Sequence, residues 1–291
     1  MNNRLSWGDK WFHTVNYSLL ALLGMITLYP LLNVLAISLS DYTAFVRHPF
    51  MFIPENINLE AYKRILTSPL LFTSYRNTLF VAVLGTAFNL LMTVMTAYPL
   101  AKSKVRGDRY ILFFVIFTML FSGGMIPTFL IVKNLYLIDT LWALIFPLAI
   151  STYNFIIMKT FLEEIPEELE EAARIDGAGH LYILFRIMIP LSLPILATLG
   201  LFYAVANWNR FFEAVLYLND RNNWTMTLLL REMITEQSDV MNAMDPLSQV
   251  RIYPKTLQSA VIIVAVLPIL LVYPFLQRYF IKGLLLGAVK Q

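Results

Sequence analysis

The sequence predicts an all-α membrane protein of six transmembrane helices, on three observations. Of its 291 residues 58% are hydrophobic and only 14% charged, and the mean hydropathy is +0.64. Six apolar runs, near 15–38, 72–101, 109–132, 141–162, 186–208 and 258–281, reach the ~20 residues that cross a bilayer core. Polar stretches at 39–71, 102–108, 133–140, 163–185 and 209–257 separate them. In hydrocarbon each backbone N–H and C=O must be paired within its own segment, so the runs are expected as helices. The chain then divides into an N-terminal segment 1–14, a membrane domain 15–281 and a tail 282–291. The first run is long enough to span, and no small-residue cleavage pattern follows it, so it is expected to stay as a membrane helix.

Composition removes several chemistries. Without cysteine there is no disulfide, thiolate metal site or cysteine nucleophile, and His13, His48 and His180 are too scattered to suggest a metal centre. No GxxxxGK[ST], HExxH or GxSxG run occurs, and no carboxylate pair lies within a span, so a catalytic reading has no support. The basic excess, +3 with a pI near 9.0, is read as setting membrane orientation rather than as binding nucleic acid.

Orientation follows from short-loop charge. Lys102, Lys104, Arg106 and Arg109 crowd into "KSKVRGDR", whereas the next short loop has Lys133, so 102–109 is placed in the cytoplasm. Six spans then put both termini and 163–185 inside, and 39–71 and 209–257 outside.

Pro30, Pro99, Gly123–Gly124 with Pro127, Pro147, Pro190 with Pro194, and Pro268 with Pro274 mark places where spans can bend. Polar clusters lie at Ser151–Asn154, within the fourth run, and at Asn207–Arg210, at the end of the fifth, and polar groups in hydrocarbon tend to face an interior or aqueous path. Tyr153, Asn154, Tyr203, Asn207, Trp208 and Asn209 combine aromatic faces with amides, the mixture that receives sugar rings and hydroxyls. Arg210 is the nearby cation that an acidic sugar would need.

The polar stretch 163–185 is the most informative. Glu163, Glu164, Glu167, Glu168, Glu170 and Glu171 crowd together in it. Pro166 suits a first helical turn and the following glutamates suit a helix N-terminus, so a helix is expected to start there. Leu169, Ala172, Ala173 and Asp176 recur at helical spacing as a small, mostly apolar face, and Gly177 ends the helix as an elbow. "LYILFRIMI" then leads as an amphipathic segment into the fifth run.

These residues resemble the hallmark of the permease subunits of binding-protein-dependent ABC importers. Their EAA…G…P loop is matched by Glu171, Ala172, Ala173, Asp176, Gly177, Ala178 and Pro190. Gly179 stands where serine is common, and Ile189 where leucine is usual. The resemblance extends over nearly the whole chain, through "YPLLNVLAISLS", "FSGGMIPTFLIVKNLYLIDTLWALI" and "FLQRYFIKGLLLGAVKQ". It points to the carbohydrate branch, related to maltose-type permeases and most similar to those for pectin-derived or alginate-type oligosaccharides.

The resemblance implies a type I importer permease fold in a bacterial inner membrane. Glu171 through Ala178 would form a cytoplasmic coupling helix docking on an ATP-hydrolysing subunit, with Glu171 facing basic groups and the remaining glutamates serving as helix-start charge and solubility. Gly287, Val289, Lys290 and Gln291 would reach between the ATPase subunits, and 213–257 would probe the solute-binding protein. It implies no cofactor on this chain, ATP and magnesium being held by two partner ATPases. The other partners would be a second homologous permease, as heterodimer or homodimer, and an external solute-binding protein. Two alternatives stay open: the same importer class carrying a peptide, phosphate or amino acid, and an ion-gradient-driven transporter. The latter class typically has internal repeats and ionisable residues within spans, neither of which is evident.

Overall fold

The computed structural model describes residues 7–102, 106–121, 123–235 and 255–271, and among them every regular element is helical apart from one antiparallel bridge, Ser40 to Ile57. The chain divides into two compact units, residues 1–68 with 230–267 and residues 69–229 with 268–291.

In the first unit α1 (Trp7–Leu39) runs for 33 residues with Pro30 inside it, and only Ala36, Ile37 and Ser38 within it are buried. At 1.5 Å per residue it is about 50 Å long, more than a bilayer core requires. Leu19, Leu22, Leu23 and Ile26 stay at least half exposed, a surface suited to lipid or a partner rather than water. The loop after it folds back on its end. The Asn33 amide donates to the Pro49 and Met51 carbonyls at 3.1 Å, and Ser40 Oγ donates to the Ala36 carbonyl at 2.6 Å while accepting the Glu55 N–H at 3.0 Å. Ala36, Ile37, Ala44 and Met51 form a small core there. α2 (Tyr42–Arg47) and α3 (Glu60–Thr67) complete this region, with Tyr62 and Ser38 hydroxyls 2.7 Å apart.

The second unit is organised by α4 (Pro69–Lys102), which starts on a proline whose missing N–H would be unpaired in any case. Around it lie α5 (Asp108–Leu120), α6 (Met125–Asn134), two 3₁₀ turns at Leu141–Leu144 and Phe146–Leu148, and α7 (Thr152–Glu164). Then follow α8 (Glu168–Ile175), α9 (His180–Ile183), a π-helical turn Leu184–Met188, α10 (Ile189–Leu191), α11 (Leu193–Trp208) and α12 (Phe212–Tyr217). α13 (Met226–Thr235) and α14 (Lys255–Leu271) end the described chain.

Among the described residues α1 and α4 are each long and apolar enough to cross a membrane, and three bent pairs bring the number to five. Three runs expected as single helices are therefore broken. The run 109–132 is α5 and α6, parted where Gly124 adopts φ +90°, a conformation glycine reaches without a Cβ clash. In 141–162 the 3₁₀ turns meet α7 at 51°, next to Pro147 and the Ser151 cap, whose Oγ accepts the Asn154 N–H. In 186–208, the segment His180–Leu191 meets α11 at 83°, at Ser192 between Pro190 and Pro194. A proline inside a helix removes one hydrogen bond and clashes with the preceding turn, so the second and third of these bends fall beside prolines. The sixth run starts in α14, and 272–281 lies outside the described residues.

One face of α4 carries a polar seam. The Asn77 amide donates to the Asn222 and Trp224 carbonyls at 2.8 and 3.1 Å, and Thr78 Oγ accepts the Met226 N–H at 2.9 Å. The Asn89 amide donates to the Leu148 and Ala149 carbonyls at 2.8 and 2.9 Å. These carbonyls fall where helices end or turn 3₁₀, which is where the backbone lacks its own donors. Below the seam Val94, Ala97, Tyr98, Phe155, Met158, Leu162, Ile183, Leu184, Met188 and Leu199 form the core that seats α8.

Candidate functional site

α7 ends because Pro166 forces the residue before it out of the helical region: Ile165 is extended at φ −69°, ψ 129°. α8 begins two residues beyond the proline, at Glu168, rather than at Pro166 itself, with the Glu167 carbonyl accepting the Glu170 and Glu171 N–H groups. Glu168, Glu170 and Glu171 fill its first turn, where negative charge meets the positive end of the helix dipole. At its other end Gly177 sits at φ +84°, its N–H donating to Arg174 O and the Ala178 N–H to Ala173 O, both at 3.0 Å. That pair of bonds is the Schellman closure, and it needs a left-handed residue where Gly177 stands. A Cβ on Gly177 would meet nothing within 4 Å, so the requirement for glycine is one of backbone handedness alone.

The helix presents two faces. Glu171, Ala172 and Asp176 are exposed, while Ala173 and Ala178 are half-buried against the core. A cleft of about 630 Å³ opens beside the elbow, lined by Asp176, Gly177, Gly179, Tyr182 and Arg186 among others. Glu170 departs from the expectation that it is a solvating charge. It is 4% exposed, accepts the Tyr98 hydroxyl of α4 at 3.0 Å and pairs with Arg174 at 2.6 Å. One turn further along α4, Lys102 Nζ donates to the Ile165 carbonyl.

The residues singled out for a sugar path have varied surroundings. Tyr203 is buried, its hydroxyl 2.7 Å from Thr93 Oγ and accepting the Ser151 N–H at 3.0 Å. The Asn207 amide donates to Asn89 Oδ1 at 3.0 Å and Thr86 Oγ at 3.2 Å, and its own Oδ1 is buried without a partner. Asn154 is buried, whereas Tyr153 is 55% exposed and Asn209 is exposed with its amide on the Val205 carbonyl. Trp208 meets Tyr75 edge-on at 6.1 Å and lines an apolar groove of about 470 Å³ between α4 and α11. Arg210, just past α11, is 8% exposed and donates to the Leu144 carbonyl of the 3₁₀ turn. Burial pulls its pKa down to about 10, against the Glu213 carboxylate, so it stays protonated at neutral pH. Among the described residues, Tyr203, Asn207 and Arg210 are thus bonded to neighbouring segments, while Tyr153 and Asn209 are exposed.

Sequence reasoning passed over Asp139, which ties the loop 133–140 to residues 219–223. Its backbone is left-handed at φ +60°, its carboxylate accepts the Asn219 and Asp220 N–H groups, and its carbonyl accepts the Asn223 amide at 2.6 Å. The Asp220 N–H above all, helped by Asn219, holds this carboxyl below the usual aspartate value. An aspartate inside a tight turn, where its short side chain can bond the local backbone, was the available signal. The Tyr98–Lys102 pair was equally available as two polar groups one turn apart at the C-terminal end of α4. The tail residues Gly287, Val289, Lys290 and Gln291 lie outside the described residues, as do residues 236–254 of the polar stretch 209–257.

Residues 89–285 match the family described as binding-protein-dependent transport system inner membrane component. The polygalacturonan/rhamnogalacturonan transport system permease protein YtcP of Bacillus subtilis (strain 168) is 43% identical over 291 residues, 100% of both chains. Protein LplC of the same organism is 45% identical over 280 residues, 96% of this chain and 95% of that one. In three dimensions the chain is similar to the crystal structure of a bacterial ABC transporter involved in the import of the acidic polysaccharide alginate. The TM-score is 0.88 at 35% identity, covering 95% of this chain and 99% of that one. By the family match and these alignments over nearly full length, the chain belongs to the inner membrane components of binding-protein-dependent transport systems.

Proposed function

We propose that this chain is one half of the translocation path of an ATP-driven importer of oligosaccharides from acidic plant or algal polysaccharides. The observation that carries the reading is α8: a short helix with an exposed Glu-Ala edge and a Schellman elbow, seated on the core of a chain alike along its length to acidic-polysaccharide permeases. In this reading the chain has six spans with both termini cytoplasmic, the sixth continuing from α14. Glu171, Ala172, Ala173, Asp176, Gly177 and Ala178 meet the ATPase, and ATP and magnesium belong to that partner. A second homologous permease, two ATP-binding subunits and an external solute-binding protein complete the machine. The stretch 209–257 is the outer loop that meets the binding protein.

Alternating access follows from the mechanics of such an assembly. Closing of the ATPase pair pushes on α8, α8 is fixed to α4, and α4 is bonded along its length to the segments around 148–149, 203, 207 and 222–224.

The test is ATP hydrolysis by the complete complex in proteoliposomes with its binding protein, offered oligogalacturonides, alginate oligosaccharides, maltooligosaccharides and a peptide mixture. Stimulation by a uronate oligosaccharide above the neutral sugars is expected. Stimulation by the peptides alone overturns the cargo, and transport driven by an ion gradient without any ATPase overturns the class.

A further inference from the structure

We infer that the last turn of α4 is a clamp on α8, in which Tyr98 and Lys102 are positioning residues that make α8 and α4 move as one body. The inference rests on the reading of α8 as the helix that meets the ATPase.

Glu170 is a carboxylate with a 6% exposed side chain, and a buried charge persists only where it is paired and hydrogen-bonded. Its two partners differ in kind. Arg174 lies four residues on along the same helix, so it neutralises the charge without tying α8 to anything. Tyr98 comes from α4, and its hydroxyl bonds Glu170 to another element at 3.0 Å. Lys102, one turn further on, holds the Ile165 carbonyl where α7 gives way to α8. The junction is thus gripped at two points, five residues apart, by two side chains on one face of one helical turn. Ala173 and Ala178 pack on the same core as Tyr98, and residues that small let α8 lie close against it. A hinge would leave this junction bonded within itself; here it is bonded to the longest helix of the unit.

Two measurements test the clamp in the complete complex with its binding protein and trigalacturonate as the probe. Tyr98→Phe keeps the ring and removes the hydroxyl. Its expected result is wild-type co-purification of the ATPase subunits with a fall of about tenfold in the ratio of stimulated to basal ATP hydrolysis, the worth of one hydrogen bond to a charged group. Arg174→Gln, which leaves the α4 bond in place, is expected to lower the ratio less. An unchanged ratio in Tyr98→Phe overturns the inference. The second measurement needs no transport. Because the chain has no cysteine, spin labels on Met95→Cys of α4 and Glu171→Cys of α8, both exposed, report one pair of sites. One narrow distance is expected in the purified permease, and a broadened one after Tyr98→Phe. Equal widths overturn the clamp. A wild-type complex that responds to no oligosaccharide overturns the proposed cargo, while the label distance still decides the clamp.

Discussion

The middle of α4 and its C-terminal end solve the problem of polar contacts in opposite ways. In the middle the bonds are neutral, from asparagine amides, threonine hydroxyls and the Tyr203 hydroxyl to carbonyls and to one another. At the end the partners are ionic: Glu170, Arg174 and Lys102. An isolated charge deep in hydrocarbon is expensive, whereas an amide that finds two carbonyls is fully paired, so the neutral set can lie at membrane depth and the charged set stays where water and headgroups begin. The difference teaches that α4 is held for folding at its middle and for position at its end.

Asn89→Leu should break the comparison most visibly. It strands the Leu148 and Ala149 carbonyls and removes one of the two acceptors of the Asn207 amide, so a loss of about 2–4 kcal/mol is expected, read as a lower thermal midpoint in detergent. A wild-type midpoint would show that the seam is not structural. Gly85→Ala presses on the same seam by volume. Its Cβ would lie 2.9 Å from Asn207 Nδ2, so the amide must shift off Asn89, at a cost of about 1–3 kcal/mol. Restoration of stability by adding Asn207→Ala would confirm the clash.

At the charged end Gly177→Ala meets open space, and its cost of about 1–2 kcal/mol comes from the left-handed backbone alone. It should therefore lower the midpoint of the permease less than the seam variants do while lowering stimulated ATP hydrolysis, with Gly177→Asn milder and Gly177→Pro most severe. Equal activity of all three would dissolve the distinction between the two ends of α4. The smallest effect is expected at the loops that Asp139 joins. Asp139 has a lower pKa folded than unfolded, so its stabilisation is whole above about pH 4 and fades as the pH falls through the folded value. Its side chain is near the surface, so the contribution is below about 1 kcal/mol. Wild type and Asp139→Asn should differ in midpoint at pH 7 and converge towards pH 3.

Much of the architecture was legible because hydrophobic length is a local property. The breaks at Gly123–Gly124, Pro147 and Pro190–Pro194 were marked by residue type, but their angles were not, since an angle is set by what packs against the bend. The elbow was legible because Gly177 and its spacing carry their own mechanism. Glu170 was not: six neighbouring glutamates have the same polarity, and only the seating of α8 on the core decides which one turns inward. Its partner Tyr98 lies 72 residues earlier, a separation no local pattern reveals.

The Asn89 seam also sets an order of events during synthesis. The Asn89 amide leaves the ribosome 59 residues before Leu148 and 118 before Asn207. At roughly 5–20 residues per second, α4 waits about 3–12 s for its first partner. During that interval its polar face has only water or the insertion machinery to bond, so α4 settles into lipid in two stages: its apolar back first, and its asparagine side once the next hairpin has been made.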